Sequence, residues 1–352
     1  MKKSVLSSAT GRIIISGEWA VLDPKNFAIL MPVRKRVFVR VKKSPNEKIF
    51  IFLKDFNLKK RAVFFKKKLK FLENLERKER EILRYPKKSI EMALNFLGRF
   101  FPFQLEIWGE IKEKVGFGFS GACSVAIISA LLKFHQKKLK KEGLFKLAFL
   151  AHFLAQNKRG SGTEIATAVY NSPLIYRKPD TEWLKEKLKS QREIKNIVFE
   201  EWKNLKIEKI HFLRGLYILA GWTGKPAFTF KLIKKFQDWR KKNPKEVEKI
   251  ILKIGKITKK IIKAWKLKNK KKILELIKEN REYLKELGEK SSLKIETEKL
   301  KKLIDIAQNL GAGAKISGAG GGDCAIALVF DKKIALKIKK EWKKIGILPF
   351  EI

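Results

Sequence analysis

In the first part of the chain, β-branched and aromatic residues gather in short runs. Arg12–Ser16, Ala28–Val33, Val37–Val41, Lys48–Leu53 and Ala62–Lys66 each end at Gly, Pro or a charge cluster, and each predicts a strand. The period then lengthens to a helical one around Ser89–Phe101 and returns to alternation over Gln104–Trp108. Next comes Gly116–Gly121, and behind it Ala122–Leu132 is a compact run of helix formers: a glycine loop opening a helix. From Phe228 to Leu310 the pattern is mostly helical. Ile250, Ile254, Ile257, Ile261 and Trp265 share one face, as do Ile273, Ile277 and Leu284. Gly288 and Gly311 stand where helix C-terminal caps belong. A second glycine cluster precedes the strand-like Ala325–Val329, followed by a helix near Ile334–Lys344 and a closing strand. No internal repeat is present. A division between domains is expected near Ser190–Leu213, although no linker composition marks it.

Composition narrows the class. A chain of 352 residues buries a sizeable core and favours two domains over one. With 45% hydrophobic residues it is expected to fold rather than stay disordered. Two cysteines, Cys123 and Cys324, are too few for a disulfide scaffold, and a cytoplasmic setting is expected. No apolar run approaches the roughly 20 residues that span a bilayer. Met1-Lys2-Lys3 is basic, but Ser4–Ala9 is too short and polar for a signal-peptide core.

The net charge of +46 admits two readings. Clustered Lys and Arg neutralise nucleic-acid phosphates, whereas a general lysine excess merely decorates solvated faces. Here the lysines are spread through nearly every segment at helical spacing, with no zinc-finger pattern and no separate basic tail. No specific nucleic acid and no membrane are therefore expected as partners. A positive field would still steer anionic substrates toward a cleft.

Two segments suit phosphate. In Gly116-Phe117-Gly118-Phe119-Ser120-Gly121-Ala122, glycines let backbone N–H groups converge, and the following helix presents its positive end. A plain strand–helix turn is the structural alternative. Ser317-Gly318-Ala319-Gly320-Gly321-Gly322-Asp323-Cys324 carries four glycines within five positions, which calls for a special backbone path or a tight packing contact. Neither is a Walker A sequence, and no strand–GxGxxG–helix unit of the Rossmann type occurs.

Gly11-Arg12-Ile13-Ile14-Ile15-Ser16-Gly17-Glu18-Trp19-Ala20-Val21 resembles the first motif of the GHMP kinases. Gly116–Ala122 resembles their second, the Gly-Leu-Gly-Ser-Ser-Ala phosphate loop, and Ser317–Cys324 their third. The order is the family's, and the three span most of the chain. Gly221-Trp222-Thr223-Gly224-Lys225-Pro226-Ala227, Lys315–Cys324 with its Asp-Cys ending, and Gly160-Ser161-Gly162-Thr163-Glu164-Ile165-Ala166 most resemble the phosphomevalonate-kinase branch. Trp19 stands where mevalonate kinases carry histidine and that branch an aromatic.

The resemblance implies an α+β, two-domain GHMP kinase fold. An N-terminal domain like ribosomal protein S5 domain 2 (1–195) would pair with a ferredoxin-like C-terminal domain (196–352), with the active site between them. It implies ATP and Mg²⁺ as cofactors and transfer of the γ-phosphoryl group to the phosphate of 5-phosphomevalonate, in a monomer or homodimer. Gly116, Gly118, Ser120, Gly121 and Ala122 would hold the ATP phosphates, with Ser120 near Mg²⁺. Ala319, Gly320 and Gly321 would donate to the transferring group, and Ser161, Lys225 and Lys315 would meet the substrate. Catalysis would fall to Arg12, where the family usually has Lys, and Glu164, where it usually has Asp. Arg offers a planar fork in place of a compact ammonium, and Glu reaches one methylene further than Asp. The two departures either compensate by keeping a working ion pair or leave a slow or altered enzyme. Phe119 replaces the first serine of the phosphate loop. The alternatives left open are another GHMP enzyme, such as a mevalonate kinase, and a weakened homologue that only binds its ligands. His135, His152 and His211 show no metal-ligand spacing and are expected to pack or face solvent.

Overall fold

The structure, a computed structural model, describes residues 4–110, 116–190, 193–227 and 229–352. Met1, Lys2, Lys3 and Phe228 lie outside the described residues. Two antiparallel-rich sheets, each backed by helices, divide the molecule.

The first sheet opens with β1 (Ser4–Ser16) and β2 (Ala28–Lys43), paired antiparallel along most of their length. The strand expected at Arg12 thus begins earlier, because Val5, Ser7 and Ala9 alternate inward and are buried. Ala28–Val33 and Val37–Val41 are one continuous strand, with a register irregularity opposite Gly11 absorbing the intervening residues. Next come β3 (Ile49–Leu53), β4 (Leu58–Phe65), β5 (Lys68–Phe71), helix α1 (Arg77–Leu97) and β6 (Phe103–Gly109). Helix α1 starts well before Ser89, with a capping box between Glu76 and Glu79 and Gly98 as its C-cap. Its charged first half hides that start from a search for apolar period.

After the glycine loop, α2 (Phe119–Phe134), α3 (Lys141–Ala155) and α4 (Thr163–Tyr170) follow, then β7 (Leu174–Arg177), α5 (Thr181–Ser190), α6 (Ile194–Phe199) and β8 (Lys206–Lys209). Strand order runs β5-β4-β3-β6-β2-β7-β8, with β1 on β2. Because β8 pairs with β7, the first sheet extends past position 195, and the second begins with β9 (Tyr217–Trp222).

Four helices succeed β9: α7 (Thr229–Lys242), α8 (Pro244–Lys266), α9 (Lys270–Ser291) and α10 (Glu298–Asn309). Ile250, Ile254, Ile257, Ile261 and Trp265 are all buried along α8, and Ile273, Ile277 and Leu284 along α9, as their spacing predicts. Gly311 follows α10 at φ 92°, a helix-stop glycine. Gly288, however, lies inside α9, where it packs against the Leu293 carbonyl and Ile295; Ser292 in the left-handed conformation caps that helix. Then come β10 (Gly313–Ser317), β11 (Cys324–Val329), α11 (Lys332–Lys344) and β12 (Pro349–Glu351). The second sheet is ordered β10-β11-β9-β12 and is antiparallel throughout. In chain order that is second-third-first-fourth with helical crossovers, the ferredoxin-like arrangement. The two halves are fastened together, since Trp19 and Ala20 pack in the core of the second and Ile257, Ile261 and Trp265 in that of the first.

Candidate active site

The glycine loop sits where β1 meets α2. The Arg12 N–H donates to the Phe117 carbonyl at 2.8 Å, tying the strand to the loop, and buried Phe117 packs edge-on against Phe350. Gly118, at φ 74°, is the N-cap of α2. Helix α2 spans 16 residues, most of them buried; the N–H groups of its first turn, around Ser120, have no intrahelical acceptor. Gly116 is required by Asp323: a Cβ there would lie 2.5 Å from the aspartate's own Cβ. The first and second glycine segments therefore touch.

Glu164 enters from the first turn of α4 and is buried. Its Oε2 accepts from the Thr163 hydroxyl at 3.0 Å, and its Oε1 lies 3.5 Å from His152 Nε2. The same imidazole nitrogen is 3.0 Å from Ser120 Oγ, and Tyr85 stacks on the ring at 5.0 Å. Burial pushes the His152 pKa down against the pull of Glu164, with Arg84 and Arg12 lowering it further. Burial also works to raise Glu164, but His152, Arg12, its backbone and Thr163 outweigh it and hold the carboxyl below its ordinary range.

Arg12 stands among these groups. Its charge acts on Glu164, Asp323 and Glu18, yet its buried Nε has no hydrogen-bond partner. Among the described residues no salt bridge joins Arg12 to Glu164. Of the two alternatives, the compensating ion pair is therefore not formed here; Arg12 and Glu164 influence one another through the field. A Cβ on Gly318 would lie 3.7 Å from the Arg12 Nη1, so the guanidinium faces the third motif.

That motif is laced to Gly221–Ala227. Asp323 Oδ1 accepts from the Ala227 N–H at 2.8 Å, its N–H reaches the Lys225 carbonyl at 2.9 Å, and its carbonyl takes the Thr223 N–H at 2.9 Å. Burial lifts the Asp323 pKa from 3.8 to about 6, opposed by the Ala227 N–H and Arg12. Ser317 accepts the Ile14 N–H at 2.9 Å, a direct stitch between the two halves.

Not every expected residue joins this cluster. Lys315 is fully buried and ion-paired with Glu18, also buried, and it donates to the Ile316 carbonyl at 2.7 Å. It belongs to the interior and not to a substrate surface. Gly321 gives its N–H to the Ile295 carbonyl at 2.8 Å, which removes it from the donors available to a transferring phosphate. Lys225 has an exposed side chain at the rim, and Ser161 Oγ is 3.2 Å from Thr163 Oγ1, beside Glu164.

Sequence comparison decides the family. Residues 84–172 match the model for the GHMP kinases N terminal domain, and residues 261–348 match that for GHMP kinases C terminal. The chain belongs to the GHMP kinase family. As a GHMP kinase it is a phosphotransferase, and the two-domain α+β fold is the one expected. It is 25% identical to a phosphomevalonate kinase of Streptomyces sp. (strain CL190), across 100% of this chain and 97% of that one. It is 28% identical to a mevalonate kinase of Pyrococcus abyssi, across 96% and 93%. Its fold overlays the Streptococcus pneumoniae phosphomevalonate kinase in complex with phosphomevalonate and AMPPNP with a TM-score of 0.83, at 22% identity over 99% and 100% of the chains.

Two site residues of this GHMP kinase escape a reading by motif. His152 is expected to pack or face solvent, and the one signal otherwise is that it lies a dozen residues before Glu164; it ends α3, and a loop leads from there to the first turn of α4. Asp323 is visible as part of the Asp-Cys ending, but nothing local reveals that it reaches across to Gly116 and into the field of Arg12.

Proposed function

We propose that this GHMP kinase transfers the γ-phosphoryl group of ATP to the phosphate of 5-phosphomevalonate, giving 5-diphosphomevalonate and ADP. The observation that carries the reading is the convergence of Arg12, Glu164 and Ser120 in one cluster, between a helix N-terminus and the second glycine segment. Phosphoryl transfer depends mainly on alignment and on neutralising charge over the moving group. The Gly116–Ala122 loop and the N-terminus of α2 hold the nucleotide phosphates, Ala319 and Gly320 lie toward the transferring group, and Arg12 lends it a guanidinium. Lys225 and Ser161 meet the acceptor. The acceptor phosphate is largely ionised near neutral pH, so it needs little help from Glu164 as a base.

Among the described residues no group of three or more His, Cys, Asp or Glu could hold a metal. The Ser120 hydroxyl would be the protein's contribution to a Mg²⁺ bound with the nucleotide. When bound, it neutralises charge between the phosphates.

A mevalonate-kinase reading draws on the Pyrococcus relative. Buried Trp19, packed on Phe236 at 5.0 Å where a mevalonate kinase has histidine, favours the phosphorylated acceptor. Purified protein with ATP and Mg²⁺ should release ADP with phosphomevalonate and not with mevalonate or diphosphomevalonate. Turnover of mevalonate alone would overturn the proposal, and ATP binding without turnover of any of the three would mark a ligand-binding homologue.

A further inference from the structure

Within Ser317–Cys324, Asp323 is the one residue in the left-handed region that is not glycine. Gly318, Gly320, Gly321 and Gly322 all take positive φ, and Asp323 follows them at 53°. That backbone disfavours side chains in general and tolerates Asp and Asn best. Two of the bonds tying Asp323 to the segment after β9 come from its main chain. The Thr223 N–H donates to its carbonyl and its own N–H to the Lys225 carbonyl, both at 2.9 Å. They carry the β9–β11 pairing past its last partners, Trp222 and Cys324, and glycine would make them equally well. The side chain does what glycine could not. Oδ1 accepts from the Ala227 N–H at 2.8 Å, at the far end of the segment. Oδ2 lies toward the phosphate loop, where a Cβ on Gly116 would be 2.9 Å from it, 2.7 Å from Cγ and 2.5 Å from Cβ. Gly322 lets the same segment approach: a Cβ there would lie 2.8 Å from the Lys225 carbonyl oxygen and 3.1 Å from the Ala227 nitrogen.

We propose that Asp323 is a positioning residue for the acceptor, its carboxylate anchoring the Ala227 end of the Thr223–Ala227 segment beside the phosphate loop. One buried side chain thereby sets where Lys225 stands relative to the nucleotide. The segment needs such an anchor. Gly224, at φ 79°, has no atom within 4 Å of where a Cβ would be, so packing does little to hold the turn there. Its hydrogen bonds do: the Thr223 hydroxyl donates to the Lys225 carbonyl at 3.1 Å and accepts from the Lys225 N–H at 3.3 Å. Those bonds close the near end of the segment, and the Asp323 carboxylate closes the far one. A short side chain is required, because it must reach Ala227 from a backbone pressed between two glycine segments. The effect on the acceptor rests on the proposed role of Lys225; the anchoring of Ala227 does not.

The test compares Asp323→Asn with Asp323→Gly, by steady-state kinetics with ATP and phosphomevalonate and by hydrogen exchange of the segment's amides. Asn keeps an oxygen for the Ala227 N–H and suits the left-handed backbone, so both KM values should stay within about threefold of the original. Gly keeps the backbone path and both main-chain bonds but loses the anchor. Its KM for phosphomevalonate should rise about tenfold, the worth of one such bond, with KM for ATP nearly unchanged. The Ala227 amide should exchange faster while the Thr223 amide stays protected. Lys225→Ala should raise the acceptor KM in the original protein and add little to Asp323→Gly, a departure from additivity. An equal rise in both KM values, a loss in Asp323→Asn as large as in Asp323→Gly, additive losses with Lys225→Ala, or an Ala227 amide that exchanges as before would overturn the proposal. Should the unaltered protein turn over none of the three substrates, the functional reading fails, while hydrogen exchange still decides the anchoring.

Discussion

Two ionic groupings lie near one another in the molecule and have opposite characters. Glu18 and Lys315 are sealed from solvent and bound to one another, joining the loop after β1 to β10. Burial raises the Glu18 carboxyl and lowers the Lys315 ammonium, and the attraction between them opposes both shifts. Arg12, Glu164 and Asp323 share a field but no ion contact, and the Arg12 Nε is left without a partner. A buried charge without its partner is costly. Where that cost is met inside the protein, the pair is architectural; where it is left open, the groups are the candidates to meet a ligand's charge.

Breaking the sealed pair should have the largest effect. Lys315→Met leaves Glu18 buried and uncompensated and should cost about 3–5 kcal/mol in denaturant unfolding. Pairing it with Glu18→Gln should recover much of that loss. Arg12→Met should do the reverse. It loses no internal salt bridge, so stability should change by no more than about 1 kcal/mol. Its kcat should fall roughly 10²–10³-fold, as when a donor to developing charge is removed.

The third prediction concerns pH. The Asp323 pKa is 3.8 ordinarily and about 6 here, because burial disfavours its charge more than the Ala227 N–H and Arg12 favour it. The folded state thus binds this proton more tightly than the unfolded chain. Its stabilising contribution is complete below about 3.8 and is lost as pH rises through about 6. Asp323→Asn should flatten unfolding free energy against pH across that window by on the order of 2 kcal/mol. The smallest effect is expected of Glu164→Gln, about tenfold in kcat, since an ionised acceptor needs little help from a base. Nearly full turnover in that variant would remove Glu164 from the reaction.

Much of the fold was legible because it is local. The apolar faces of α8 and α9, the strand runs in β2 and β6, and the loop ahead of α2 all follow from period and glycine placement. Where charge masks the period, as in the first half of α1, or a glycine serves packing inside a helix, as Gly288 does, the local signal misleads. Lys315 shows the limit most clearly. In a chain with 82 Lys and Arg, no single lysine announces that its partner lies far away in sequence at Glu18.

By itself, then, the sequence determined the family, the order of the phosphate-holding segments and the residue types at the site, since motifs are short and chain order is preserved. Only the tertiary structure decided which charges are spent. Lys315 is closed off by Glu18, Gly321 is bonded to Ile295, and Arg12 stands apart from Glu164. It also decided that Asp323 stands between Gly116 and the Ala227 N–H and that His152 faces both Ser120 and Glu164. Such pairings depend on distances of a few ångströms between segments far apart in the chain. Packing sets those distances, and no local spacing records them.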